Sequence, residues 1–149
     1  MFDFMQDSLT AGTIENYRAV FRDQSEGGLN RKSFVPHAPY SVSEALFEFI
    51  NKANSSNATI SIHNQETPAE QSLFETGESD FHDFVKGFGF SLDHLKPIGK
   101  GSIYYALKNM QAKQKNIFVH NTLTSEVDIK AAYEWSENCY WATCPNANL

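Results

Sequence analysis

The chain has 149 residues, 41% of them apolar and 20% charged, with a formal net charge of -6. That balance excludes disordered, fibrous and basic nucleic-acid-binding classes, because the surplus of acid repels phosphate backbones. No apolar run approaches the ~18 residues of a spanning helix, and Met1-Phe2-Asp3-Phe4 lacks the basic and apolar stretches of a signal peptide. Cys139 and Cys144 are too few for a disulfide scaffold and match neither a zinc knuckle nor a CxxC pair. A reduced, cytoplasmic setting is expected, with neither membrane nor nucleic acid as partner.

Ile14, Tyr17, Val20 and Phe21 at helical spacing predict a helix over residues 13–24, stopped by Gly27-Gly28. Residues 33–35 read as a short buried strand that Pro36 closes, since proline cannot donate to a ladder. Ser41-Val42-Ser43-Glu44 has the form of a capping box, and Ala45, Leu46, Phe49 and Ile50 carry the helix to an Asn/Ser cluster at 54–57. The β-branched run 58–62 predicts a strand and 68–74 a short helix. Residues 76–101, punctuated by Gly77, Gly87, Gly89, Gly99, Gly101 and Pro97, read as an insertion of small elements around one helix at 81–85. Beyond it come a helix at 103–113, a strand at 117–119, a helix at 125–137 and a strand at 140–143. Strands alternating with helices predict an α/β domain with a parallel sheet, either doubly wound or part of a (β/α) barrel.

Each predicted strand runs into a polar residue: His37, His63, His120, and Asn146 after Cys144-Pro145. In parallel α/β structures the carboxyl ends of the strands share one face, so the three imidazoles are expected to converge there. Neutral imidazole is the commonest metal ligand. In His63-Asn64-Gln65-Glu66 a carboxylate follows within reach of whatever the imidazole holds, as a general base requires. Glu70, one turn on, is expected to face solvent, and His82 and His94 are expected on the surface. Ser102-Ile103-Tyr104-Tyr105 and Phe81, Phe84, Phe88 and Phe90 read as packing, and Cys144 as a small buried residue. Gly87-Phe88-Gly89 lacks the third glycine and the strand-turn-helix setting of a dinucleotide loop.

Four stretches taken together, Val35-Pro36-His37-Ala38-Pro39-Tyr40-Ser41, Ile62-His63-Asn64-Gln65-Glu66-Thr67, Val119-His120-Asn121-Thr122 and Cys144-Pro145-Asn146-Ala147-Asn148-Leu149, resemble the amidohydrolase superfamily. The likeness is to its metal-dependent aminohydrolases, which include adenosylhomocysteine, aminofutalosine, guanine and cytosine deaminases and related chlorohydrolases. The resemblance implies a (β/α)₈ barrel holding one divalent ion, zinc ahead of iron, at its carboxyl face, where activated water displaces ammonia from a ring carbon. It implies further that His63 is the metal ligand after the fifth strand and Glu66 the proton shuttle. By the same resemblance His120, after the sixth strand, orients the attacking water, and His37, after the fourth, orients the substrate. A small heterocyclic substrate, purine-like or nucleoside-like, is the implied partner, and a homo-oligomer is compatible with it. Dechlorination or cyclic amide hydrolysis on the same fold, and a non-catalytic half-barrel module, are the alternatives.

The family's His-x-His after the first strand has no counterpart before His37, its last metal-binding Asp would lie beyond Leu149, and Ala147 stands where many relatives have Ser. A full barrel takes ~250 residues. The chain is therefore expected to be an internal part of one barrel domain covering strands four to seven with their helices. All 149 residues belong to it, and residues 35–149 carry the family motifs. Taken alone it is expected to bind metal poorly and to lack activity.

Overall fold

The computed structural model describes residues 1–24 and 31–148. Helix α1 (Asp7–Asp23) precedes a 3₁₀ turn (Pro39–Ser41) and α2 (Glu44–Ala53); then come β1 (Thr59–Asn64), α3 (Pro68–Glu75), α4 (Phe81–Lys86), α5 (Ile103–Asn109), β2 (Lys115–His120), α6 (Glu126–Trp135) and β3 (Cys139–Ala142). The three strands form one parallel sheet in the order β1-β2-β3. Strand order follows chain order, without the reversal that defines a doubly wound sheet.

Alternation along the strands decides which face carries the core. Ile60 and Ile62 of β1 and Phe118 of β2 are fully buried among Leu46, Phe47 and Ile50 of α2, Leu73 and Phe74 of α3 and Ile103 of α5. The intervening Ser61, His63, Ile117 and Val119 are only half-buried. The helices thus cover one face, and His63 belongs to the other. No helix among the described residues is long and apolar enough to cross a membrane.

Several boundaries differ from the sequence expectation. Helix α1 begins at Asp7, not at residue 13, because Asp7 sits at the positive end of the helix and the Thr10 hydroxyl donates to the buried Asp3 carboxylate at 2.8 Å. The predicted stop at Gly27-Gly28 lies outside the described residues. The cap of α2 is Ser43, whose hydroxyl accepts from the Leu46 N–H, while Ser41 belongs to the 3₁₀ turn. Helix α5 ends at Asn109 because the Asn116 side chain takes the Gln111 and Gln114 carbonyls into a turn. Helix α6 starts behind a capping box of Ser125 and Asp128. Phe81 and Phe90 pack on the core as expected, but Phe84 and Phe88 are each 59% exposed, and Cys144 is only half-buried.

Residues 33–35 are extended without forming a strand. Pro36 has no N–H to give, and both backbone groups of Phe34 are occupied by Asn54. Its Oδ1 accepts from the Phe34 N–H at 3.0 Å, while its Nδ2 donates to the Phe34 and Ile50 carbonyls, each at 2.8 Å. One backbone bond, His63 N–H to the His37 carbonyl at 2.9 Å, still lays this segment beside β1. Net values of about 1 kcal/mol per hydrogen bond give an expected loss of about 2–3 kcal/mol for Asn54→Ala by urea denaturation, with the exposed Asn57→Ala within about 0.5 kcal/mol of wild type.

Candidate functional site

His63 is the penultimate residue of β1, in register with Val119, and His120 is the last residue of β2, in register with Asn64. Pleat alternation would send His120 to the same face as its buried partner Asn64. Its φ of 78° breaks the alternation, and the ring lies 4.9 Å from that of His63, centroid to centroid. The residues after both strand ends share the left-handed conformation, Asn121 at φ 60° and Gln65 at φ 46°. Such backbone costs of order 1–3 kcal/mol per non-glycine residue and persists only where surrounding bonds impose it.

The surrounding bonds are specific. The Asn121 N–H donates to the Asn64 carbonyl at 3.0 Å, and the Asn64 amide donates to Asn121 Oδ1 at 3.1 Å. Asn121 Nδ2 donates onward to the Phe118 carbonyl at 2.8 Å and the Ala142 carbonyl at 3.1 Å, tying the ends of all three strands together.

On this base His37, His63 and His120 stand in a row, with 5.0 Å between the first two rings. One ligand atom from each of His63, Glu66 and His120 can be chosen so that all three lie within 4.8 Å of one another. Glu66 Oε1 is 3.5 Å from His120 Nε2. His37 Nδ1 is hydrogen-bonded to the Ser41 hydroxyl at 2.8 Å, and Tyr40 and Phe2 flank its ring. The structure therefore brings His37, His63, Glu66 and His120 together. Asn146 is exposed and takes no part. His94 is exposed and His82 half-exposed, its Nε2 at 2.8 Å from the Gly77 carbonyl.

Two residues escaped the sequence reading. Asn148 Oδ1 lies 3.0 Å from His120 Nδ1, while its Nδ2 points to Glu66 Oε1 at 3.5 Å. Asn148 belongs to the quoted terminal motif, which was the available signal. Glu70, expected in solvent, is 1% exposed and bound to the turn that carries Glu66. Burial raises its carboxyl above the ordinary range, against the opposing hydrogen bonds from Ser102, Glu66 and Gln65. Burial, with Glu70 and Glu66 nearby, likewise pushes the Tyr40 phenol up to about 12.

Burial lowers His37, assisted by His63 and the terminal amine and opposed by Glu66; burial and His120 lower His63, again against Glu66. Both shifts favour the neutral ring, the form that ligates a cation. With Asn148 Nδ2 turned to Glu66, Asn148 Oδ1 faces His120 Nδ1, and the other ring nitrogen, Nε2, faces the carboxylate. Imidazole nitrogens and a carboxylate oxygen that converge in this way form a donor set that fits a divalent ion bound by nitrogen and oxygen.

No protein-family model matches the chain, and no curated protein does. Among solved structures it is similar to the crystal structure of Helicobacter pylori aminofutalosine deaminase, with a TM-score of 0.76 and 17% sequence identity. The match covers 99% of this chain and 36% of that one. At this identity the likeness is one of fold: the chain folds as an α/β unit with a small parallel sheet, like about a third of that enzyme.

Because His37 and His63 are lowered from the ordinary value of 6.5, the unfolded chain binds protons more readily than the folded one as the pH falls. The contribution of these two rings to the stability of the metal-free protein is therefore expected to be level above about pH 6.5 and to decline below it. Thermal melts at pH 7.5 and 5.5 check this, and the combined His37→Asn and His63→Asn variant should show a shallower decline.

Proposed function

We propose that this chain is part of a metal-dependent hydrolase of the amidohydrolase superfamily that deaminates a small amino-substituted heterocycle, purine-like or nucleoside-like. The observation that carries the reading is the His63, Glu66 and His120 cluster at the carboxyl ends of adjacent parallel strands. The fold shared with a deaminase supports it, and so do the four sequence motifs, although the chain spans only 36% of that enzyme.

In this reading His63 holds one divalent ion, zinc ahead of iron. When bound, such an ion acidifies water to a pKa of ~7 and so supplies a nucleophile at neutral pH. Glu66 takes the water's proton and delivers it to the departing amine, a task that suits a half-exposed carboxylate 3.5 Å from an imidazole. His120, its tautomer set by Asn148, orients the water. His37, steadied by Ser41, orients the substrate from the far end of the row. The frame surrounding these residues is that of barrel strands four to seven, and the remaining ligands come from sequence outside residues 1–149. A cytoplasmic enzyme acting on a small molecule, with neither membrane nor nucleic acid as partner, fits the acidic composition and the two free cysteines; a homo-oligomer is compatible with it.

Ammonia release by the product of the full reading frame, assayed across adenine, guanine, cytosine and thioether nucleosides, tests the proposal. Glu66→Gln is expected to lower kcat by about 10²–10⁴-fold with metal content unchanged, as loss of a proton-transfer group does. Loss of the metal along with activity would make Glu66 a ligand, and absence of ammonia from every substrate would remove the deaminase reading.

A further inference from the structure

Glu70 is the third residue of α3, behind the cap Thr67, whose hydroxyl accepts from the Glu70 N–H at 3.2 Å. In a capping box the carboxylate at this position returns to the N–H of the cap residue itself. Glu70 instead reaches past Thr67. Its Oε1 accepts from the Gln65 N–H at 3.0 Å and its Oε2 from the Glu66 N–H at 2.9 Å. The buried Ser102 hydroxyl, at the start of α5, donates to Oε1 from the other side. A carboxylate that only capped the helix would have no reason to bind two successive upstream peptides.

We propose that Glu70 is a positioning residue: its buried carboxylate pins the left-handed turn after β1 and thereby sets the distance between the Glu66 carboxylate and the His120 imidazole. The inference rests on the reading of that cluster as a metal-dependent site. Two donors from consecutive peptides fix the orientation of the chain entering Glu66. The same turn is bound to the loop that carries His120. The Leu123 N–H donates to the Gln65 carbonyl at 3.0 Å, and the Thr124 hydroxyl donates to Gln65 Oε1 at 2.7 Å. Gln65 Nε2 donates to Asp128 Oδ2 at 3.2 Å. Gly101 leaves room for this amide, since a Cβ there would come within 2.6 Å of Gln65 Nε2. The turns after β1 and β2 are thus one braced unit, with Glu70 as its anchor.

The test compares Glu70→Gln and Ser102→Ala with Leu73→Ala, which opens a cavity on the same helix without touching the turn. Three readouts are taken on the 149-residue chain: amide exchange at Gln65 and Glu66, the His120 ring nitrogen shifts, and Zn²⁺ affinity followed by the His63 and His120 ring signals. Glu70→Gln should speed exchange at residues 65 and 66 at least tenfold relative to Phe118, move the His120 shift, and weaken Zn²⁺ binding by about 10–100-fold per folded molecule. Ser102→Ala should act in the same direction to a smaller degree, which keeps the test open if Glu70→Gln fails to fold. Leu73→Ala should lower the melting temperature and leave Zn²⁺ affinity and the His120 shift unchanged. If Glu70→Gln lowers only the melting temperature, Glu70 is a cap and the proposal falls. If the wild-type chain gives no Zn²⁺ response, as its partial ligand set allows, the positioning role is decided by amide exchange at residues 65 and 66 and by the His120 shift, and the metal reading by the product of the full reading frame.

Discussion

The left-handed backbone at His120 is the constraint on which the site depends. A regular strand would send this ring to the helix-covered face beside Asn64, and His63 would lose its imidazole neighbour from β2. Turning one residue out of the pleat brings the two imidazoles to 4.9 Å and puts Glu66 beside them. Conformational strain of this kind is maintained by hydrogen bonds elsewhere, here chiefly by Asn64 and Asn121, which bond to each other by side chain and by backbone. The cluster is thus a product of the sheet's ends and not of any one loop.

Much of the frame was legible because it rests on periodicity. The β-branched run at 58–62 and the apolar periods of α2, α3 and α6 mark elements whose burial follows from spacing alone, and their alternation implied the parallel sheet. The segment around Phe34 was misread because its apolar residues fit a strand while Asn54, twenty positions later, occupies the backbone groups a ladder needs. Nothing local announces such a competitor. Helix α1 was cut short for the complementary reason: its first turn is held by Asp3 and Thr10, and polar contacts leave no apolar period.

The site divides along the same line. His37, His63 and His120 could be grouped from their positions at strand ends, since parallel topology does the grouping. The His-Asn pair repeated at 63–64 and 120–121 was the unread signal of the tie between the strand ends, since the two asparagines bond to each other, and Asn121 alone of the two takes the left-handed region that asparagine tolerates. Glu70 was assigned to solvent on the general rule that carboxylates are exposed. The rule fails where three donors, two of them backbone N–H groups, meet a buried carboxylate. Exposure of Phe84 and Phe88 was equally hidden, because an aromatic spacing that fits a core also fits a surface cluster stacked upon Phe4 and Phe81.

The two faces of the sheet carry different chemistry for one physical reason. On the helix side, Ile60, Ile62 and Phe118 exclude water, and the polar groups at that depth, Asn64, Gln65, Glu70 and Asn116, are stable there through the hydrogen bonds they make. Those bonds consume the side-chain donors of Asn64, Gln65 and Asn116, while Asn64 Oδ1 and Asn116 Oδ1 keep no hydrogen-bond partner among the described residues. On the opposite side, His63, Glu66 and His120 are only half-buried, and their ligand atoms converge, with Asn148 Nδ2 at 3.5 Å as a long hydrogen-bond donor to Glu66 Oε1. Reactive capacity therefore concentrates on the face the helices leave uncovered, and the hydrogen-bonded polar layer behind it supplies rigidity. A site that has to hold a cation needs both: converging ligand atoms open to it in front, and a braced backbone behind to stop them from turning away toward partners of their own.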